Sequence, residues 1–347
     1  MENNIKNNEV AEVKYTAKDF ASDQDVKWCP GCGDYSILAQ VQRSSPDFGE
    51  KLENIVWVSG IGCSSRFPYY MSTYGFHGIH GRAAAIATGV KLANPKLQVW
   101  VATGDGDMLS IGGNHFIHAC RKNVNLKIIM FNNKIYGLTK GQYSPTSELG
   151  KVSKTSPYGT VDWPFNSIKL AAGSGATFVA RSIDREPKHL QEMITRASKH
   201  NGAAFIEVYQ NCPIFNDGAH AHLTEKDVKH DNVIVMEHGK PLLFGKNKDK
   251  GIRLDGLNPE IIDLSDGKWS VNDVWVHDEL DDNPTRVFLL ARFSDLQGFP
   301  IPIGVFRQFN KATYNDNVEE QIKLIKQKKG EGTLEKLFYT GNTWEVS

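Results

Sequence analysis

The stretch 99–138, VWVATGDGDMLSIGGNHFIHACRKNVNLKIIMFNNKIYGL, determines the fold that we predict for this chain. A strand over residues 98–103, rich in β-branched and aromatic side chains, ends in Gly-Asp-Gly-Asp. A helical segment follows, and a second apolar strand over residues 126–131 ends in Asn-Asn. This order of strand, helix and strand predicts a right-handed parallel β-α-β unit.

The two polar turns of this unit are expected to meet in space. Parallel strands bring both turns to the same edge of the sheet, so Asp105 and Asn133 should approach each other across 28 positions of sequence. Gly104 and Gly106 allow a ligand close to the backbone, and the helix N-terminus after them attracts phosphate. A carboxylate, an amide oxygen and backbone carbonyls suit Mg²⁺ carrying a diphosphate. Each motif alone would be a plain tight turn, but the pairing at this spacing favours a site.

The composition limits the classes of partner. The 347 residues include 40 basic and 40 acidic side chains, so the formal net charge is zero and we expect neither nucleic-acid nor membrane partners. The N-terminal residues have no apolar signal region, and no run of 18 apolar residues is present. These features predict a cytoplasmic, soluble protein.

Strands and helices alternate from about residue 27 to 213, which predicts a doubly wound, mostly parallel α/β sheet. We divide the chain into a flexible N-terminal arm (1–24), an α/β domain (25–220) and a C-terminal extension (221–347) that is ordered in part by contact with another chain. Within the extension, VFLLARF at 287–293 is predicted to be a strand. The polar segment 139–161 is too long for an idle loop, so we expect it to have a function.

Four of the five cysteines lie at loops or at the ends of predicted elements. Cys29 and Cys32 form a C-x-x-C pair, Cys63 lies in a glycine turn, and Cys212 ends a strand. Four thiolates suit either zinc or a [4Fe–4S] cluster, and the spacing does not choose between them. A dithiol redox pair and unligated cysteines also remain open. Cys120 lies on the apolar side of the central helix and is interpreted as an ordinary buried cysteine.

The motifs taken together resemble one enzyme family. WCPGCG, GIGCSSRFPYY, HGRA, GDGD, NNKIYGLTKGQYSPT and NCP occur in this order, and they resemble the β subunit of the 2-oxoacid:ferredoxin oxidoreductases over residues 25–220. GLTKGQ-x-SPT together with GIGCSSR is most similar to the 2-oxoglutarate type. Pyruvate or branched-chain specificity is the nearest alternative. A zinc-stabilised α/β scaffold protein, with both polar motifs as plain turns, is the alternative from a different class.

The resemblance implies a thiamine diphosphate-binding fold with a C-terminal appendage, and it assigns three sets of residues. The [4Fe–4S] ligands would be Cys29, Cys32, Cys63 and Cys212. The Mg²⁺ ligands would be Asp105, Asn133 and the carbonyl of Ile135. The thiamine diphosphate contacts would be Ile61, Gly62, Cys63, Ser64, His80, Gly106, Asp107, Gly137 and Leu138. Asp107 as a helix cap and Leu138 as an ordinary core residue are the structural alternatives.

The implied reaction is oxidative decarboxylation of a 2-oxoacid, with 2-oxoglutarate to succinyl-CoA favoured. Coenzyme A takes the acyl group, and electrons pass through the cluster to ferredoxin. Arg66 and Lys140 are candidate partners of the substrate carboxylates, and solvated or ion-paired roles are equally open. No Glu in the chain is identifiable as the partner of the aminopyrimidine ring. We therefore expect an α subunit with the pyrimidine-binding module to supply it at a subunit interface.

Overall fold

The structure is a computed structural model that describes residues 14–346. Its α-helices are α1 (Asp34–Ser44), α2 (Ala83–Ala93), α3 (Asp105–Leu109), α4 (Gly113–Arg121), α5 (Ser167–Gly173), α6 (Pro187–Lys199), α7 (Ala221–Thr224), α8 (Lys229–Asn232), α9 (Pro284–Ala291), α10 (Tyr314–Lys329) and α11 (Leu334–Phe338). Its strands are β1 (Ile55–Ser59), β2 (Tyr74–His77), β3 (Gln98–Gly104), β4 (Leu126–Asn132), β5 (Phe178–Ile183), β6 (Ala204–Tyr209), β7 (Val233–Val235), β8 (Leu243–Phe244), β9 (Lys250–Asp255), β10 (Asn258–Asp263) and β11 (Ile301–Gln308).

One eight-stranded sheet organises the chain, with the strand order β2-β1-β3-β4-β6-β5-β11-β7. All neighbouring strands run parallel except β11 and β5, which pair antiparallel. The strand order reverses direction along the chain, as a doubly wound sheet requires. The predicted fold class, a doubly wound and mostly parallel α/β sheet, is confirmed.

Both faces of the sheet are buried. Val99 and Val101 of β3 pack into one apolar cluster with residues of α2, α4, α5 and α9. Trp100 and Ala102, which alternate with them, pack into a second cluster with residues of α1 and α6. Successive side chains of a strand point to opposite faces, so a strand covered on both sides reads as a continuous apolar run.

The central β-α-β unit forms as predicted. Strands β3 and β4 pair in parallel, with Gly104 opposite Phe131, so the turns that follow them emerge at the same edge of the sheet. The crossover contains two short helices, α3 and α4, instead of one continuous helix, because the backbone leaves the helical region at Ser110. This geometry brings Asp105 and Asn133 to one side of the molecule.

The segment after residue 220 completes the main sheet as well as forming a sheet of its own. Strands β7 and β11 extend the main sheet beyond β5, and β8, β9 and β10 form a separate antiparallel sheet. The predicted strand at 287–293 is wrong, since these residues fall mainly in helix α9. Asn283 caps this helix by accepting a hydrogen bond from the backbone N–H of Thr285, and Pro284 occupies its first turn.

The predicted arm 1–24 is described only from residue 14, and residues 1–13 lie outside the described residues. A 3₁₀ helix, Ala17–Phe20, buries the Phe20 ring completely in the second cluster, and Ala21 forms a β-bridge with Met71. This part of the arm therefore packs on the α/β domain. Among residues 14–346, no helix combines the length and the apolar character needed to cross a membrane.

Candidate functional site

A cavity of about 530 Å³ opens at the carboxyl ends of β1, β3 and β4. We call it the larger cavity, because it is the larger of two adjoining cavities in the site. All twelve residues predicted for magnesium and thiamine diphosphate line it: Ile61, Gly62, Cys63, Ser64, His80, Asp105, Gly106, Asp107, Asn133, Ile135, Gly137 and Leu138. Sites in open α/β sheets form at this edge of the strands, where the connections diverge. The structure thus collects into one space residues that lie up to 77 positions apart.

Asp105 lies at the base of this cavity and is only 2% exposed. Its Oδ2 accepts hydrogen bonds from the hydroxyls of Ser144, at 2.5 Å, and Thr146, at 2.6 Å. Burial raises the pKa of this carboxyl to about 6, although the two hydroxyls oppose the shift. A cation beside Asp105 would favour its ionised form. Sequence analysis did not select Ser144 and Thr146, although the quoted motif YSPT contains both.

The Asn-Asn turn is held in place from both sides. Asn133 Oδ1 accepts a hydrogen bond from the N–H of Ile135 at 3.2 Å, and its carbonyl accepts one from Asn216 Nδ2 at 2.8 Å. Lys134 between them adopts a left-handed backbone with φ of +57°. A carboxylate, an amide and a backbone segment therefore line one cavity, as a hard-oxygen site for Mg²⁺ requires. Ligation by Asp105, Asn133 and the Ile135 carbonyl remains a prediction.

Asp107 connects three segments of the site. Its Oδ1 accepts hydrogen bonds from the N–H groups of Gly81, at 2.7 Å, and Ile61, at 3.0 Å, and lies 2.9 Å from His80 Nδ1. Its Oδ2 accepts a hydrogen bond from Thr103 Oγ1 at 2.7 Å. Protein donors therefore engage both carboxylate oxygens, which supports the loops around the cavity. The predicted contact between Asp107 and the diphosphate is untested.

Gly106 is required by close packing. A Cβ atom added there would lie 2.2 Å from Cε1 of the Tyr136 ring, well inside van der Waals contact. The hydroxyl of Tyr136 donates a hydrogen bond to the Gly106 carbonyl at 2.9 Å. The turn after β3 is thus fixed against the segment that follows the Asn-Asn turn. The glycine serves the packing of the cavity wall as well as ligand access.

A second cavity of about 200 Å³ adjoins the first, and we call it the cysteine cavity. All four cysteines predicted for the cluster and both candidate substrate residues line it: Cys29, Cys32, Cys63, Arg66, Lys140 and Cys212. Trp28 Nε1 donates a hydrogen bond to the Cys63 carbonyl at 2.7 Å, and the N–H of Gly33 donates one to the Asn211 carbonyl at 3.1 Å. These bonds join the three cysteine-bearing segments, which are far apart in sequence.

The thiols of this cavity surround a common space. A Cβ atom added at Gly137 would lie 3.5 Å from Cys212 Sγ and 3.9 Å from Cys63 Sγ. Burial, and then the nearby Asp34, raise the pKa of Cys63 to about 12, with Cys212 and Cys29 adding to the shift. Burial also raises the pKa of Cys32. A thiolate-binding metal group would compensate this cost.

Thiolates bind both zinc and iron–sulfur clusters, so the cavity by itself fits either group. Within residues 14–346, no three or more His, Cys, Asp or Glu side chains already stand in an arrangement that would hold a single metal ion.

Asp34 lies between the two cavities and was not selected from the sequence. It is 1% exposed, and neither carboxylate oxygen has a hydrogen-bond partner among the described residues. Burial raises its pKa to about 7. Both cavities share five lining residues: Asp34, Cys63, Asn133, Gly137 and Leu138. A group in the cysteine cavity would therefore lie next to a cofactor in the larger one.

The structure places both candidate substrate residues on the cysteine cavity and not among the lining of the larger cavity. Arg66 Nη1 donates a hydrogen bond to the Lys27 carbonyl at 3.3 Å. Lys140 is exposed and has a φ of +76°. Both side chains lie beside Gly137 and Leu138, where the cavities meet. Their role toward a substrate carboxylate remains a prediction.

Fold and site together define an α/β protein of the thiamine diphosphate-dependent class. Residues 56–208 match the family described as thiamine pyrophosphate enzyme, C-terminal TPP binding domain. The chain is 50% identical to 2-oxoglutarate oxidoreductase subunit KorB of Mycobacterium tuberculosis over 331 residues, which cover 95% of this chain and 88% of that protein. It is 49% identical to the 2-oxoacid:ferredoxin oxidoreductase subunit beta of Saccharolobus solfataricus over 55% of this chain and 63% of that one.

A solved structure extends this likeness to the fold. The 2-oxoglutarate:ferredoxin oxidoreductase from Magnetococcus marinus, with 2-oxoglutarate, coenzyme A and succinyl-CoA bound, superposes with a TM-score of 0.73 at 33% identity. The match covers 93% of this chain and 94% of that one. The chain therefore belongs to the family of β subunits of the 2-oxoacid:ferredoxin oxidoreductases. This confirms the predicted resemblance, and it replaces the alternative of a scaffold protein with an enzyme subunit.

Proposed function

We propose that this chain is the catalytic β subunit of a 2-oxoglutarate:ferredoxin oxidoreductase. It would convert 2-oxoglutarate and coenzyme A to succinyl-CoA and carbon dioxide, and pass two electrons to ferredoxin. The observation that carries this proposal is the contact between the two cavities. The larger cavity, where the cofactor would bind, shares five lining residues with the cavity that the four cysteines line. Oxidative decarboxylation needs an electron acceptor close to the reacting carbon.

The residues of the larger cavity fit thiamine diphosphate with Mg²⁺. Asp105, Asn133 and the Ile135 carbonyl would hold the cation, and the turns at Ile61–Ser64 and Gly137–Leu138 would lie along the cofactor. When bound, the thiazolium ring supplies the electron sink that decarboxylation of a 2-oxoacid requires. The chain's own part would be to hold the cation that binds the diphosphate, through Asp105, and to keep the cavity walls rigid, through Asp107.

The four cysteines would hold one [4Fe–4S] cluster as the electron acceptor. The raised thiol pKa values of Cys32 and Cys63 indicate a space that favours thiolates only when a cationic group is bound. Family membership favours iron–sulfur over zinc, because zinc is not redox-active and could not accept electrons. Free thiols and such a cluster require a reducing compartment, which supports a cytoplasmic location.

The preference for 2-oxoglutarate rests on the relatives and on the available cations. The relatives named above include 2-oxoglutarate enzymes, and the Magnetococcus marinus structure holds 2-oxoglutarate, coenzyme A and succinyl-CoA. The substrate has two carboxylates, and Arg66 and Lys140 lie where the cavities meet. A guanidinium binds a carboxylate through two parallel hydrogen bonds, which makes Arg66 the stronger candidate.

An α subunit would complete the site. It would supply the pyrimidine-binding module and its Glu, so the isolated chain should not turn over 2-oxoacids. The C-terminal extension is the proposed contact surface, because its end exposes large apolar side chains: Leu334, Leu337, Phe338, Tyr339 and Trp344. Exposed apolar groups concentrated in one segment are typical of protein–protein contacts.

The test is an anaerobic assay of the chain co-purified with its α subunit. The complex is supplied with thiamine diphosphate, Mg²⁺, coenzyme A and a panel of 2-oxoacids, and reduction of ferredoxin or a viologen dye is followed. We expect 2-oxoglutarate to give the highest kcat/KM and the chain alone to be inactive. Preference for pyruvate or branched-chain substrates would overturn the specificity, and activity of the chain alone would overturn the shared site.

A further inference from the structure

A polar pocket of about 270 Å³ lies at the opposite edge of the sheet from the larger cavity. Its wall comes from the residues before β3, the start of β4 and the residues before β6. These three strands are neighbours, and their other ends carry the two polar turns and Cys212. The length of β3 puts roughly 20 Å between the two sites. The pocket is therefore separate from the proposed catalytic site.

Four lysines line this pocket, Lys91, Lys96, Lys127 and Lys199, against one carboxylate, Glu50. We call it the lysine pocket. Lys91 and Lys127 are only 5% and 3% exposed, which is unusual for lysine. Lys96 and Lys199 are exposed at the rim.

The two buried ammonium groups have only neutral partners among the described residues. Lys91 Nζ donates hydrogen bonds to the carbonyl oxygens of Pro95 and Leu97, each at 2.7 Å. Lys127 Nζ donates to Asn125 Oδ1 and to the His200 carbonyl. Carbonyl and amide oxygens satisfy the donors but do not neutralise the charge.

Burial disfavours the charged form of both lysines. Burial, and then repulsion from Lys91, lower the pKa of Lys127 to about 7. Burial also lowers the pKa of Lys91, although the carboxylates of Asp316, Glu50 and Glu319 oppose the shift. An anion between the two buried lysines would favour the protonated, charged form of both side chains.

We propose that the lysine pocket binds a small oxyanion of the phosphate class. Its volume is below the 300 to 1,000 Å³ that is typical of sites for drug-sized ligands, and its wall is almost entirely polar. Lys91 keeps one unused N–H after its two hydrogen bonds, and the rim lysines and Asn201 add further donors. The anion is either free phosphate or the phosphate end of a small metabolite.

The test measures binding of sodium phosphate to the full-length chain with thiamine diphosphate and Mg²⁺ at saturating concentration, so that the larger cavity is filled. Calorimetry and thermal unfolding are compared with sodium chloride at equal ionic strength. We expect a saturable rise in Tm with phosphate that chloride does not produce. Repeating the measurement with glycerol phosphate distinguishes the two candidate ligands. Tighter binding of the ester would identify the phosphate end of a metabolite, and tighter binding of phosphate would identify the free ion.

Variants locate the site. Lys96→Gln combined with Lys199→Gln should weaken phosphate binding about tenfold, as expected for the loss of charge-assisted hydrogen bonds. Lys188→Gln changes an exposed lysine on the same helix as Lys199, outside the pocket, and should leave the affinity unchanged. These rim variants avoid the buried Lys127, whose replacement could prevent folding. Phosphate effects equal to those of chloride, or equal losses in the two variants, would overturn the proposal.

Discussion

The larger cavity and the cysteine cavity share a wall, but the protein completes them to different degrees. In the larger cavity, the carboxylates of Asp105 and Asp107 already accept hydrogen bonds from neighbouring groups. In the cysteine cavity, burial raises the pKa values of Cys32 and Cys63, and the Asp34 carboxylate on the wall shared by both cavities has no hydrogen-bond partner among the described residues. The protein organises the first space through its own hydrogen bonds, whereas the second would depend on the proposed metal group.

Removing one cysteine should have the largest effect, and only on the cysteine cavity. Cys212→Ala takes away a thiol that lines the cysteine cavity alone. We expect loss of the cluster absorbance near 400 nm and at least about a hundredfold loss of ferredoxin reduction. Thiamine diphosphate affinity, measured by calorimetry, should stay within about threefold. Cys120→Ala, at a buried cysteine on α4, is the control. It should keep the cluster absorbance, the ferredoxin reduction and the affinity for thiamine diphosphate.

Asp105→Asn should impair the larger cavity and leave the cysteine cavity unchanged. It removes the one carboxylate of the predicted magnesium set while nearly preserving its shape. Affinity for thiamine diphosphate with Mg²⁺ should fall about a hundredfold, and the iron content should be unchanged. Asp255→Asn, at an exposed aspartate that ends β9 in the separate antiparallel sheet, is the matched control. Retention of cofactor affinity in Asp105→Asn would show that the magnesium ligands lie elsewhere.

Asp107→Asn should destabilise the chain even without cofactor, because Asp107 supports the loops around the larger cavity. The change places an amide where three protein donors converge, so the chain without cofactor should lose about 2 to 3 kcal/mol of unfolding free energy. Asp105→Asn should cost the same chain less, because it removes a carboxylate whose ionisation burial disfavours. Urea unfolding of both variants tests this order. Equal losses of unfolding free energy in the two variants would contradict the role of Asp107 in supporting the loops around the larger cavity.

Acid should weaken the support beneath the larger cavity by a smaller amount. His220 packs on Tyr209, lies 3.0 Å from the Asn132 carbonyl through Nε2, and has a pKa lowered to about 3, chiefly by burial. The unfolded chain takes up a proton near the ordinary value of 6.5, before the folded chain does. The neutral His220 imidazole therefore contributes its full share of the unfolding free energy above pH 6.5. This share is lost as the pH falls toward 3, by up to about 1.4 kcal/mol per pH unit.

The measurement is urea unfolding between pH 7 and pH 5 for the parent chain and for His220→Asn. The variant should show a shallower loss of stability over this range. His238→Asn, at a half-exposed histidine, should keep the parent slope. Parallel slopes for the parent and His220→Asn would show that this imidazole contributes nothing to the acid sensitivity.

Sequence patterns predicted what depends on local periodicity and topology. Apolar runs with polar turns were enough to place Asp105 and Asn133 at one edge, because a parallel β-α-β unit has one hand. They were not enough to find Asp34 between the cavities or the four contacts of Asp107, which arise only when separate loops pack together. Helix α9 was missed because VFLLA at 287–291 is a continuous apolar run, and the cap at Asn283-Pro284 carried the signal.

We infer that electrons leave the substrate in the larger cavity and enter a cluster in the cysteine cavity. The direct measurement is electron paramagnetic resonance of the oxidised complex with its α subunit, mixed with 2-oxoglutarate and coenzyme A without ferredoxin. We expect the signal of a reduced [4Fe–4S] cluster when thiamine diphosphate and Mg²⁺ are present, and no such signal without them. Carbon dioxide release with no reduced-cluster signal, or a protein with zinc on these cysteines, would contradict it.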